Sequence, residues 1–109
     1  MDLDKRLSER KVLRVKAILT MDGAVPMLVR TMDIGKYGMC VINIPQALKT
    51  SLEVEVRFEV VFGGKIENVT ITARVSYCVH SEEEGYRAGL QFLNPASPGA
   101  ALIAQYIAS

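Results

Sequence analysis

The stretch Leu52-Glu53-Val54-Glu55-Val56-Arg57-Phe58-Glu59-Val60-Val61-Phe62 decides the fold. In it Leu52, Val54, Val56, Phe58, Val60 and Phe62 alternate with Glu53, Glu55, Arg57 and Glu59. Successive side chains of a β-strand turn to opposite faces, so this period of two describes a strand with one dry face and one wet face. Gly63-Gly64 follows, a pair that accepts the positive φ angles of a tight hairpin turn. Val69, Ile71, Ala73, Val75, Tyr77 and Val79 then resume the alternation. The pattern predicts an antiparallel hairpin with Tyr77 on the core side, beside Val75, and Arg74 on the outer side.

The flanking sequence extends the same architecture. Leu13, Val15, Ala17, Leu19 and Met21 alternate with polar residues and predict a first strand. Asp22-Gly23 turns the chain, and Val25 to Ile34 returns as a second strand whose start, at Pro26, belongs at an edge or bulge. Met39 to Ile42 forms a short third strand, and Tyr86, Ala88, Leu90 and Phe92 form the last. With the central hairpin this makes six strands and no intervening helix, the pattern of an all-β fold closed as a six-stranded antiparallel barrel over residues 13–93. Ser97 and Pro98 mark a helix start, so a short carboxyl-terminal α-helix is expected over 97–108, packing Leu102, Ile103, Tyr106 and Ile107 onto the barrel. Residues 1–12 show little periodicity and are read as a flexible basic arm.

The 109 residues, half of them hydrophobic, suffice for one core, so a single domain is expected. A net charge of +1 gives no global field for DNA, but residues 1–16 hold Lys5, Arg6, Arg10, Lys11, Arg14 and Lys16 against Asp2, Asp4 and Glu9. That local excess suits a small anion. Aromatic residues are 6% of the chain and tryptophan is absent, which argues against a stacking platform for single-stranded nucleic acid. Cys78 and His80 are too few donors for a metal site, and His80, the one histidine, has no nucleophile motif beside it. No enzyme activity, metal or cofactor is therefore expected. Cys40 and Cys78 lie in apolar stretches and are read as buried, reduced thiols. The charged amino terminus lacks a signal-peptide pattern and no apolar run approaches the ~20 residues of a membrane span, so a cytoplasmic protein without membrane insertion is expected. The outward acids Glu53, Glu55 and Glu59 discourage edge pairing between copies, which favours a monomer.

Two short motifs carry the chemistry. Arg10-Lys11-Val12-Leu13-Arg14 sets two arginines four apart, and Asp33-Ile34-Gly35-Lys36-Tyr37-Gly38 forms an acidic, glycine-rich loop. An arginine fork grips phosphate or the O6/N7 edge of guanine, whereas an aspartate accepts from guanine's N–H donors. Asp33 is placed at a strand end, where aspartate also caps turns. Gly35 and Gly38 are read as admitting positive φ and close approach of a ligand to the backbone.

Together with Gly89-Leu90-Gln91-Phe92 near the end, these motifs resemble the PilZ domain, whose pattern is Arg-x-x-x-Arg followed by Asp/Asn-x-Ser-x-x-Gly. The resemblance spans nearly the whole chain and implies a receptor for the bacterial second messenger cyclic di-GMP. It implies that Arg10 and Arg14 hold phosphates and guanine faces, with Asp33, Gly35 and Gly38 completing the site. Arg6, Lys11, Lys36, Arg74 and Tyr77 are further candidate contacts. Gly35 departs from the pattern by lacking the serine hydroxyl, one hydrogen bond worth about 1 kcal/mol. The resemblance further implies that ligand orders the amino-terminal arm and that an unidentified downstream effector protein reads the change, in motility, exopolysaccharide or biofilm control. The alternative is a degenerate PilZ-like adaptor that binds a protein partner without nucleotide.

Overall fold

Strand β5 (Glu53–Phe62) and strand β6 (Lys65–Ser81) form the ladder that the central alternation predicts, in register from Glu53 opposite Arg74 to Phe62 opposite Lys65. Gly63 and Gly64 take φ angles of 60° and 73°, which side chains with a Cβ disfavour. Val54, Val56 and Phe58 lie opposite Ala73, Ile71 and Val69, and together with Val60 and Val75 all are at most 5% exposed. Each valine or phenylalanine so buried contributes roughly 1.5–3 kcal/mol. This computed structural model describes residues 9–109.

The remaining strands are β1 (Arg10–Val12), β2 (Lys16–Thr20), β3 (Met27–Gly35), β4 (Gly38–Ile44) and β7 (Gly85–Phe92). They run in the order β3-β2-β5-β6-β7-β4, and β4 pairs back onto β3, so six antiparallel strands close on themselves. The 17 residues of β6 make closure possible, because its first part pairs with β5 and its second with β7. The expected six-stranded barrel is thus observed, with β1 as one strand more, added to β3 beside the end of β2.

That extra strand shortens the expected arm. Residues 1–8 of it lie outside the described residues, but Arg10, Lys11 and Val12 pair with Gly35, Ile34 and Asp33. The strand expected from Leu13 to Met21 is instead broken at residues 13–15, and β2 begins at Lys16. The cause is Thr31, the one buried polar residue among those described. Its hydroxyl donates to the Leu13 carbonyl and accepts the Val15 N–H at 3.0 Å, so a side chain takes the place of ladder bonds at the break.

Helix α1 (Pro98–Ala108) is capped by Ser97, whose Oγ accepts from the Ala100 N–H at 3.2 Å. Gly99, Ile103 and Ile107 are its buried residues, while Leu102 and Tyr106 pack partly buried against the core. Gly99 lets the helix start touch β6, since a Cβ there would meet the Thr70 carbonyl oxygen at 2.1 Å. Cys40 and Cys78 are both free thiols. Among the described residues no helix is long and apolar enough to cross a membrane.

Candidate nucleotide site

Cross-strand pairing assembles the candidate residues in two rows on the outside of the barrel. In the first row Val12 lies opposite Asp33, Asp33 opposite Cys40, Cys40 opposite Gly89, and Gly89 opposite Tyr77. In the second, Arg10 lies opposite Gly35, and across the β3–β4 turn Gly38 lies opposite Gln91, which faces Arg74. Residues spread over 68 positions of sequence, from Arg10 to Tyr77, thereby share one surface.

Arg10 anchors the second row. Its Nη2 donates to Asp33 Oδ1 and its Nη1 to the Gly38 carbonyl at 3.3 Å. The arginine stem lies over Gly35, where a Cβ would come within 2.7 Å of Arg10 Cδ. Gly38 is pressed still harder, because a Cβ there would meet the Leu90 carbonyl oxygen at 2.4 Å. Neither glycine is among the positive-φ residues, which are Gly23, Gly63, Gly64 and Gly85 among glycines. The expected positive φ at Gly35 and Gly38 is therefore corrected to close packing in extended strands. Asp33 likewise lies inside β3 and not at its end; the turn itself is Lys36-Tyr37.

Tyr77 is not on the core side as expected. A register shift between Val75 and Tyr77 inserts Ser76 as a bulge and turns the ring outward, 43% exposed. Tyr77 and Arg74 consequently share the outer face instead of opposing each other. The ring covers Gly89, where a Cβ would lie 2.2 Å from Tyr77 Cε1, and its hydroxyl is 3.9 Å from Cys40 Sγ. Burial pushes the Cys40 thiol up, partly offset by its contact with the Tyr77 hydroxyl. Burial also pushes the Tyr77 phenol up, and neighbouring Cys40 adds to it.

The other candidates divide. Lys36 lines a pocket of about 190 Å³ together with Arg10, Gly35, Tyr37, Gly38 and Gln91. Arg74 forms an ion pair with Glu53 at 3.6 Å at the rim. Arg14 is exposed at the break between β1 and β2, and its guanidinium makes no hydrogen bond or ion pair among the described residues. Lys11 points away from the site because alternation turns it to the face opposite Arg10. Its Nζ donates to the carbonyls of Tyr106 and Ser109, each at 3.0 Å, and sits 4.8 Å over the Tyr106 ring. Arg6 lies outside the described residues.

Two members of the surface were missed in the sequence. Gly89 was quoted only as part of the closing strand, yet a glycine inside a strand signals close approach, here by the Tyr77 ring. Arg87, ion-paired with Glu84, lies near enough for its charge to act on both Cys40 and Tyr77. The surface thus offers a planar cation, a carboxylate acceptor, an aromatic face and further cations at the rim. Such a set recognises a flat hydrogen-bonding base attached to an anion. The pocket is smaller than the ~300–1,000 Å³ that encloses a drug-sized molecule, and its volume matches a single chemical group.

These observations define a small closed barrel that carries a cation, a carboxylate and an aromatic ring together on one outer face. The PilZ domain model matches residues 4–109, and the chain belongs to that family. No curated protein sequence matches. Among solved structures, the Bacillus subtilis inhibitor of motility MotI/DgrA superposes with a TM-score of 0.77 at 11% identity, covering 94% of this chain and 49% of that one. This chain therefore spans about half the length of that protein. The PilZ domain of YcgR from Escherichia coli, solved with c-di-GMP, gives 0.66 at 14% identity, covering 94% and 88%. PlzA of Borreliella burgdorferi, in complex with c-di-GMP, gives 0.62 at 18% identity, covering 96% and 44%. At such identities these likenesses establish the fold.

Proposed function

We propose that this domain is a cytoplasmic receptor for cyclic di-GMP that signals by binding and not by catalysis. The observation carrying this reading is the convergence of Arg10, Asp33, Gly35, Gly38 and Tyr77 on one outer face. Family membership supports it, as do two structures of the same fold solved with c-di-GMP. In this reading Arg10 and Arg14 grip phosphate and guanine, Asp33 accepts from a guanine N–H, and Tyr77 offers its face to a base. Lys36, Arg74 and Arg87 supply rim charge. The basic segment before β1, which includes Arg6, orders over the ligand, and a downstream protein reads the altered surface. Contacts made only in the bound state supply the differential free energy such a switch requires. A role in motility control is supported by the likeness to MotI/DgrA, and exopolysaccharide or biofilm control belongs to the same proposal.

One observation favours the second reading, a protein-binding adaptor without nucleotide. Arg10 already commits one N–H of each terminal nitrogen, to Asp33 and to the Gly38 carbonyl, across a residue that lacks the family's serine side chain. Calorimetric titration of the domain with cyclic di-GMP separates the two. Saturable binding that Arg10→Ala abolishes supports the receptor, whereas no heat at high ligand concentration supports the adaptor.

A further inference from the structure

A second feature lies on another part of the barrel wall, with no lining residue in common with the nucleotide pocket. The register between β2 and β5 ends at Ala17 opposite Phe58. Strand β5 nevertheless runs on to Phe62, paired through Glu59–Phe62 with β6 alone. The reason lies in the break around Thr31. There the chain before β2 swings onto β3, with the Leu13 N–H bonded to the Met32 carbonyl at 3.1 Å and the Thr31 N–H to the Val15 carbonyl at 2.9 Å. The barrel wall is left with a short open strand edge, and beside it runs a groove of about 680 Å³.

The chemistry of the groove is specific. Lys16, Arg30 and Arg57 line it against Glu59, the one lining acid, and none of these three cations joins an ion pair among the described residues. Between the cations, Leu28 and Val61 are each 63% exposed. Proteins usually blunt a free edge with charge or cover it, and an exposed edge flanked by apolar side chains is a template for strand addition. We infer that the Glu59–Phe62 edge of β5 is a docking site for an extended acidic segment of a partner protein, which adds as a strand. Lys16, Arg30 and Arg57 share the outer face with Leu28 and Val61, so alternate acidic side chains of that segment turn to this face and meet the cations, their methylene stems lying over Leu28 and Val61, while the apolar ones turn to the opposite face. A second copy of this chain fits less well, since across a two-fold axis the groove would meet its own three cations with a single acid, Glu59, to offset them. The inference holds whether or not the other face binds a nucleotide.

The test uses the purified domain and a fluorescein-labelled short peptide alternating glutamate with valine, read by anisotropy. Saturable binding is expected, weakened about tenfold or more by Arg57→Glu and, independently, by Lys16→Glu. A peptide with lysine in place of glutamate should not bind. Alternate N-methylation of the glutamate peptide, which removes the backbone donors while keeping its charge, should abolish binding. Far-ultraviolet circular dichroism and thermal unfolding of both variants should match the parent, which shows that they fold without reference to any nucleotide and keeps this test separate from the nucleotide reading. Four results would overturn the inference: no saturable binding, indifference to both charge reversals, equal binding of the N-methylated peptide, or capture of phosphatidylglycerol vesicles in preference to the peptide. Concentration-dependent dimerisation lost in Arg57→Glu would overturn it in favour of the second copy.

Discussion

Gly35 sits directly opposite Arg10, and the absence of a Cβ there lets the arginine lie down across the strand. Gly35→Ser restores the family hydroxyl and moves the Arg10 stem, whereas Gly35→Ala moves the stem alone. On the receptor reading, Gly35→Ser tightens cyclic di-GMP binding about fivefold relative to Gly35→Ala, the value of one hydrogen bond near 1 kcal/mol. Calorimetry on the pair measures this, and equal affinities would remove the hydroxyl from the account. Gly38→Ala drives a Cβ into the Leu90 carbonyl and should cost about 1–3 kcal/mol in urea unfolding, with or without ligand. The raised Cys40 and Tyr77 groups give a pH signature. Both are acids whose folded values exceed the ordinary ones, so their stabilising effect is complete below the ordinary range and is lost as pH rises through the folded values. Stability should fall above about pH 9, and Tyr77→Phe with Cys40→Ala should flatten that fall in unfolding titrations at stepped pH. The residue types of this site were legible in the sequence because charge, glycine and spacing are local signals. The outward turn of Tyr77 was not, since one extra residue at Ser76 inverts every side chain beyond it.

Among elements, β1 couples two parts of the molecule. Arg10 on one face of the strand belongs to the candidate nucleotide surface, and Lys11 on the other grips the carbonyls of Tyr106 in α1 and of its C-cap Ser109. The final turn of that helix has no basic residue of its own, so Lys11 supplies the charge that complements its dipole. Lys11→Met should destabilise the helix end by about 1 kcal/mol and accelerate amide exchange over residues 103–109, with Lys11→Arg restoring part of the protection. Unchanged exchange would show that core packing of Ile103 and Ile107 alone holds the helix. The helix was legible because Ser97 and Pro98 are local start signals. The role of Lys11 was not, because its partners lie 95 and 98 residues away. The same holds for the break at residues 13–15, where the alternation of Leu13, Val15 and Ala17 runs through without interruption and the interrupting hydroxyl comes from Thr31 on another strand.

For the molecule as a whole, closure of the sheet turns ordinary alternation into function. Because β4 pairs back onto β3 and β7 lies between β4 and β6, an aspartate from β3 and a tyrosine from β6 fall in one lateral row. The barrel was legible from period-two runs and paired glycines; the lateral rows required the registers, which depend on bulges that composition does not reveal. Among the described residues the same closure leaves a gap at the far end of β5, and so separates the candidate nucleotide face from a second exposed edge. The most direct test of the central claim is a calorimetric titration of the domain with cyclic di-GMP, alongside Arg10→Ala and Arg14→Ala and with GMP as a competitor. The account predicts saturable binding at micromolar or lower concentration, lost in both variants and not displaced by GMP. Binding that survives in both arginine variants, or no binding by the parent domain, would contradict it.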